Sequence, residues 1–372
     1  MKTRTVSLSR RQKEDEKFMK IALKLSLLGM GRTEPNPMVG AVVVKNGKIV
    51  STGYHRAYGR AHAEAMALEN VHVPGTTLYL TLEPCSHFGK TPPCSELIIA
   101  KKVSRVVAAI GDPNPLVNGR GMERLRHSDI EVCSGVCPDW AAHINRHYLK
   151  AVKARMPYVA IHAGVSLDGK LTDKNGHSRW ITEAESRQLS HSLRGEFSAI
   201  LAGRNTVVAD NPRLTLREPG WNNKVLYRVV LDTQNSLSQR LHVFQEQEQF
   251  PLIIFSSRKA ADRTQKVPRH FFVNENSEGL ILGEVLATLQ RIGIASVLVE
   301  GGGKTIDSFI RQRLFDEVIL FISRRLIGGK ASVQLYESGS ASLAQALRLA
   351  ACEQIELTAG HILRGFPSCS PA

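Results

Sequence analysis

Along the chain the apolar positions switch repeatedly between a helical and an extended period. Phe18, Ile21, Ala22, Leu25 and Leu28 keep helical spacing and predict an amphipathic helix with a core-facing stripe. Val39 to Val44 and Ile49 to Gly53 read as extended runs around Asn46-Gly47, a strong hairpin signal. A helical stretch from Ala61 to Asn70, a strand from Thr77 to Leu82 and a helix from about Ser95 to Lys101 follow, with Pro-rich polar sequence before the last. Arg105 to Ile110 reads as a strand stopped by Asp112-Pro113-Asn114-Pro115. Strands alternating with helices imply an α/β layer in which parallel pairs flank the hairpin. Pro138 to Pro157 carries no strand pattern and is basic (His143, Arg146, His147, Lys150, Lys153, Arg155), so it reads as a solvated connecting helix and sets a boundary near residue 150. Beyond it come Tyr158 to Gly164, a helix near Glu183 to Leu193, and strands at Ala199 to Ala202, Arg228 to Leu231 and Leu252 to Phe255. A helix at Leu282 to Ile292 precedes a strand at Val297 to Glu300 that runs into Gly301-Gly302-Gly303, and Glu317 to Ile322 is the last clear signal. No internal repeat is present, so the expectation is two different α/β domains, residues 1–150 and 151–372.

Composition narrows the class. Apolar residues make up 42% and charged residues 22%, enough for each half to bury a core and too apolar for wholesale disorder. Lysine and arginine total 49 against 34 acids, and the resulting +15 favours polyanionic partners: nucleic acid, an anionic membrane face or phosphorylated small molecules. Met1 to Lys20 is charged throughout and lacks an apolar stretch of the signal-peptide kind, and no uninterrupted apolar run reaches the roughly 18 residues of a spanning helix. The expectation is a soluble cytoplasmic protein. Six cysteines are too few to staple so long a chain, and in a reducing compartment closely spaced ones read as ligands or nucleophiles.

Two constellations carry chemistry. His62-Ala63-Glu64 opens a helix, Pro84-Cys85 follows a strand, and Cys94 comes soon after. One imidazole and two thiolates suit zinc at three vertices and leave the fourth for a water, which the metal acidifies. Glu64 is not needed as a ligand and can carry a proton from that water to a leaving amine. A structural zinc or buried free thiols would use the same residues. Cys133 and Cys137 have no histidine-rich partner at ligand spacing and read as ordinary thiols. In the second half, the strand ending in Gly301-Gly302-Gly303 leads into a helix, where backbone amides can approach a pyrophosphate without an intervening Cβ. It lacks the G-x-G-x-x-G order of a Rossmann fingerprint, and a tight strand-to-helix turn would look the same. A nucleic-acid deaminase with a basic accessory domain, or a zinc-stabilised binding module, would also fit charge and ligands.

His-x-Glu followed by Pro-Cys and a further Cys resembles the zinc-dependent nucleobase deaminases. The run Thr81-Leu82-Glu83-Pro84-Cys85-Ser86-His87-Phe88-Gly89-Lys90-Thr91-Pro92-Pro93-Cys94 is very similar to the deaminase half of the bifunctional riboflavin-biosynthesis deaminase–reductases. Glu34 to Gly40, Gly53-Tyr54-His55 and Gly111 to Pro115 agree with that family in order. Ser166 to Lys170, Ser178 to Thr182 and Thr206 to Pro212 resemble its reductase half. The resemblance, covering nearly the whole chain, implies a cytidine-deaminase-like α/β/α domain followed by a dihydrofolate-reductase-like α/β domain. It implies one zinc, NADPH, a phosphorylated pyrimidine substrate, no nucleic-acid partner, no membrane, and a tendency to form homo-oligomers. By the same token His62, Cys85 and Cys94 would hold zinc, Glu64 would be catalytic, and Asn36, His55, Lys90 and Asn114 would line the pyrimidine pocket. Gly164, Trp180, Thr206, Asp210, Thr233 and the turn Gly301, Gly302, Gly303, Lys304, Thr305, Ile306, Asp307 and Ser308 would contact the dinucleotide. His162, Ser178, Leu214, Arg217 and Glu300 would contact the second substrate, Arg217 as a bidentate clamp on phosphate. Three departures stand out. Ala61 replaces the family's proline before His-Ala-Glu, which removes a favourable first helical residue but no ligand. His162 replaces a lysine, exchanging a permanent cation for a group mostly neutral near pH 7, and is expected still to donate to the substrate. Ser323-Arg324-Arg325 replaces an Ala-Pro.

Overall fold

The computed structural model describes residues 9–71, 74–87, 92–221, 224–262, 269–340 and 342–368. The chain divides into two compact units, Met1–Ala154 and Arg155–Ala372.

The first unit opens with α1 (Arg10–Ser26), started by a reciprocal cap in which Ser9 and Gln12 bond each other's backbone. Its buried face is Phe18, Met19, Ala22 and Leu23, rotated from the predicted stripe: Leu28 is 55% exposed. Strands β1 (Gly40–Lys45) and β2 (Lys48–Tyr54) form the predicted hairpin, with Asn46 and Gly47 both at positive φ as a two-residue turn requires. After α2 (Ala63–Leu68), strand β3 (Thr77–Leu80) pairs antiparallel with β1. Helix α3 (Cys94–Ala100), strand β4 (Arg105–Ala108), helix α4 (Arg120–Arg126) and strand β5 (Glu131–Ser134) complete a sheet of order β2-β1-β3-β4-β5, parallel from β3 onward. Gly53 lets α2 lie directly on β2, since a Cβ there would fall 2.3 Å from the Ala63 carbonyl oxygen.

The predicted solvated linker is a correction. It forms α5 (Pro138–Ile144) and α6 (Arg146–Ala154), and Ala141, Ile144, Asn145, His147, Tyr148 and Ala151 are buried. Asn145 accepts from the Met38 N–H at 2.8 Å and donates to the Met38 carbonyl at 3.0 Å, so the segment is sewn into the first unit. Of its basic residues only Lys153 and Arg155 are exposed, and His147 is buried against Glu34.

The second unit is built on β6 (Tyr158–Val165), followed by α7 (Ala184–Leu193), β7 (Ala199–Gly203), α8 (Arg204–Asp210), β8 (Tyr227–Leu231) and β9 (Leu252–Ser257). Then come β10 (His270–Val273), the small pair β11 (Glu275–Asn276) and β12 (Gly279–Leu280), α9 (Leu282–Arg291), β13 (Ser296–Val299) and α10 (Gly303–Arg311). Strand β14 (Glu317–Ser323) and the hairpin β15 (Leu349–Leu357) and β16 (Gly360–Pro367) finish a nine-stranded sheet, β10-β9-β8-β7-β13-β6-β14-β16-β15. All pairs are parallel up to β14, and the last two are antiparallel. The central strands are continuous apolar runs because helices cover both faces. Strand β15 gave no sequence signal because it is a solvated edge, exposed from Ala350 to Glu356. Among the described residues, no helix is long and apolar enough to cross a membrane.

Candidate active sites

In the first unit the start of β1, the segments that follow β2, β3 and β4, and the start of α2 converge. His62 is the N-cap of α2 but its side chain makes no capping bond, which leaves the ring to turn elsewhere. Cys94 is the first residue of α3, and it is drawn to Cys85 twice: its N–H donates to the Cys85 sulfur at 3.3 Å, and the Ser95 N–H donates to the Cys85 carbonyl at 3.1 Å. His62 Nδ1 lies 3.7 Å from Cys85 Sγ and 3.3 Å from Cys94 Sγ. A tetrahedral zinc with bonds of about 2.1 Å to nitrogen and about 2.3 Å to sulfur holds such donors roughly 3.5 Å apart. The three residues therefore fit that ion, and they form the one cluster of metal-donor type found among the described residues.

The donors are electrically poised. The hydrogen bond from Cys94 and those from His62 and the backbone hold the Cys85 thiol down to about 4 against the effect of burial, and the Cys94 thiol is pushed up by the same partner and by burial. Glu64 is 4% exposed, and burial, with the neighbouring Cys85 charge, lifts its carboxyl to about 6. A carboxyl with that affinity can take and release a proton near neutrality.

A cavity of about 420 Å³ opens on this cluster, lined by Asn36, His55, His62, Glu64, Cys85, Asp112, Asn114 and Tyr148 among others. His55 donates through Nδ1 to the Ala61 carbonyl at 3.0 Å, which leaves Nε2 to accept from Asn36 Nδ2 at 3.4 Å. Burial lowers the pKa of His55, so a neutral imidazole sits there. Lys90 lies outside the described residues. Tyr148 and Val152, from the segment read as a linker, also line the cavity; helical spacing alone gave no sign of it.

The second unit gathers its residues less completely. Thr206, Thr233, Gly302, Gly303, Lys304, Thr305 and Ser308 line a cavity of about 620 Å³ where β7, β8 and α10 begin or end. Thr206 Oγ1 accepts the Gly302 N–H at 2.7 Å and so fixes the glycine turn. The other dinucleotide candidates stand apart from that lining. Gly301 packs on Thr305 and Gly164 on Thr182, and Ile306 is a core residue. Asp307 accepts the Glu337 and Ser338 N–H groups. Trp180 is 60% exposed beneath the Arg187 guanidinium, and Arg179 donates to the Asp210 carbonyl.

Around the second-substrate candidates, Glu300 is 11% exposed and held by Arg194 through two bonds, Nε to Oε1 at 2.8 Å and Nη2 to Oε2 at 2.7 Å. Burial would raise this carboxyl, but the Arg194 charge and its hydrogen bonds, helped by His162 and His191, hold it below the usual range. Arg194 sits at the end of α7, also donates to the Thr215 carbonyl at 2.7 Å, and was missed because a lone arginine after a helix carries no motif. His162 is buried, bonds Ser190 Oγ at 2.9 Å and lies 3.7 Å from Glu300. Burial lowers its pKa, so the imidazole is neutral beside that carboxylate. Leu214 is 4% exposed and packs in a core cluster. Arg217 is exposed, and its charge with that of Arg194 adds to burial in lowering His191 to about 4. Arg325, in the departure from Ala-Pro, accepts the Leu167 N–H through its carbonyl and reaches the Trp180 carbonyl and Glu183 carboxylate through its side chain.

Comparison with known proteins agrees with both units. Residues 12–110 match the cytidine and deoxycytidylate deaminase zinc-binding region, and residues 157–358 match the RibD C-terminal domain. The riboflavin biosynthesis protein RibD of Aquifex aeolicus is 40% identical over 321 residues, 86% of this chain and 89% of that protein. The chain belongs to the RibD family. The solved RibD of Acinetobacter baumannii superposes with a TM-score of 0.86 at 33% identity, covering 96% of this chain and 99% of that one. A Thermotoga maritima diaminohydroxyphosphoribosylaminopyrimidine deaminase/5-amino-6-(5-phosphoribosylamino)uracil reductase superposes at 0.85 and 34% identity, over 96% of this chain and all of that one. As a RibD protein the chain joins a zinc-binding deaminase domain to an NADPH-dependent reductase domain, and it belongs to riboflavin biosynthesis.

Proposed function

We propose that the first unit removes ammonia from 2,5-diamino-6-(5-phosphoribosylamino)pyrimidin-4(3H)-one, and that the second reduces the ribose of 5-amino-6-(5-phosphoribosylamino)uracil to the ribityl product. The observation that carries the reading is the buried Glu64 beside the His62, Cys85 and Cys94 donors at the floor of a cavity. Bound zinc supplies an acidified water there. Glu64, buried beside those donors, would hold and move the proton between the attacking water and the departing amine, and burial, which raises its carboxyl, suits both halves of the task. Asn36, His55 and Asn114 orient the pyrimidine, with His55 fixed in one tautomer by Ala61. Lys90 is assigned the ribose phosphate.

In the second unit NADPH supplies the hydride. Thr206, Thr233 and the Gly301 to Ser308 turn hold the dinucleotide, with Gly164, Trp180 and Asp210 assigned to its remaining contacts. Ser178, Leu214 and Arg217 bind the phosphorylated ribose, and His162 donates to it. Glu300 with Arg194 gives this pocket a fixed pair of charges. The phosphorylated ligands of both units account for part of the +15 charge. The enzyme is assigned to the cytoplasm as a homo-oligomer, with sedimentation and cell fractionation as the tests. For the mechanism, ammonia release by Glu64→Ala is expected to fall by at least about 100-fold, with zinc and NADPH oxidation retained; an unchanged rate would refute the role of Glu64.

A further inference from the structure

Between β4 and α4, residues Ile110 to Asn118 form no helix or strand, yet Asp112, Asn114 and Val117 make one wall of the first cavity. Something outside the loop must give it one shape. The carboxylate of Glu83, 5% exposed and two residues before Cys85, accepts four backbone N–H groups, one from the loop and three from the N-cap and first turn of α4 that follow it. Oε2 takes those of Asp112 at 3.2 Å and Gly119 at 3.0 Å, and Oε1 takes those of Gly121 at 3.0 Å and Met122 at 3.3 Å. Removing a carboxylate from water is costly unless its lone pairs are filled, and here the loop and the first turn of α4 fill all of them. The approach is tight: a Cβ on Gly121 would fall 1.9 Å from the Pro84 carbonyl oxygen. A second brace comes from α6, where the Tyr148 hydroxyl donates to Asp112 Oδ1 at 2.8 Å and that same oxygen accepts the Asn114 N–H at 2.9 Å.

We infer that Glu83 is a positioning residue for the first unit's reaction, acting with Tyr148 to hold Asp112 and Asn114 against the substrate while its chain neighbour Cys85 stays with the metal donors. One short segment thereby ties the substrate wall to the metal donors. The inference rests on the deaminase reading above. Glu83 does not touch the reacting atoms; it acts through Asn114.

The test uses the whole enzyme and the pyrimidine phosphate. Glu83→Gln keeps the size but presents an amide N–H₂ to two of the four donors, breaking half of the bonds that fasten the loop and the first turn of α4. It is expected to raise the deaminase KM about tenfold, to leave kcat within about threefold, and to keep one zinc per chain and full NADPH oxidation. Tyr148→Phe, milder for folding, is expected to raise KM about threefold with kcat unchanged. In an Asn114→Ala background the added effect of Glu83→Gln should shrink to less than about twofold, because both changes remove the same placement. A loss of kcat in step with zinc, or full additivity with Asn114→Ala, would overturn the positioning role. Should Glu83→Gln not fold, an unchanged KM in Tyr148→Phe overturns it. A wild-type enzyme that releases no ammonia defeats the deaminase reading itself, whereas an active wild type with unaltered variants defeats only this inference.

Discussion

The two sites are put together in different ways. In the first unit, donors from the end of β3 and the starts of α2 and α3 meet within bonding distance of a single ion, and every described residue assigned to the pyrimidine lines the same cavity. In the second, seven assigned residues line one cavity while the others are spread over a core position, an exposed tryptophan and a buried ion pair. A metal fixes its ligands to a few tenths of an ångström, so type and spacing are constrained together. A dinucleotide is long and met largely by backbone, which leaves side chains such as Ile306 to serve the fold. The first site stands or falls by a few atoms; the second depends on the packing that shapes it.

The largest expected consequence of that difference falls on Arg194. Arg194→Met leaves Glu300 buried without its partner, which typically costs about 3–5 kcal/mol. On heating, NADPH oxidation by this variant should fail about 10 °C below that of the wild type, while ammonia release keeps its wild-type profile. Equal shifts of both activities would erase the distinction between the units.

A smaller effect is expected at the glycine turn. In Gly303→Ala the new methyl would lie 2.4 Å from Val333 Cγ1 and 3.1 Å from the Gln334 carbonyl oxygen. Overpacking of this order costs about 1–3 kcal/mol, which should appear as a KM for NADPH raised about tenfold with ammonia release untouched. An unchanged KM would place the dinucleotide elsewhere.

The smallest concerns acid stability of the first unit, where Arg105 bonds Asp15 twice at 2.7 Å. Burial works to raise Asp15, but the hydrogen bonds from Arg105 and Tyr79 and the arginine charges hold it below the ordinary value. A depressed folded pKa gives stability that is present above the unfolded value of about 3.9 and lost as pH falls through the folded one. Asp15→Asn should therefore lower the melting temperature at pH 7, and the gap from the wild type should close below about pH 4. A gap that persists in acid would assign the loss to packing instead.

These contrasts mirror what the sequence could tell. His62, Glu64, Cys85 and Cys94 were legible because the chemistry leaves few alternatives at that spacing, and the Asn46-Gly47 hairpin because its turn demands those residues. Tyr148 and Glu83 were not, since one hides in a basic helix and the other is satisfied by backbone groups up to Met122. Arg194 became visible only once α7 had brought it to Glu300. The edge strand β15 escaped because exposure removes the apolar alternation by which strands are recognised.

The most direct test of two separable sites in one chain follows both products while zinc is removed. Given the pyrimidine phosphate without NADPH, the enzyme should release ammonia and accumulate the unreduced uracil product, and later NADPH should be oxidised in equal amount. After chelation, ammonia release should cease while reduction of added 5-amino-6-(5-phosphoribosylamino)uracil continues at its former rate. If chelation stops both reactions or neither, the account of an independent zinc-dependent deaminase beside an NADPH-dependent reductase is contradicted.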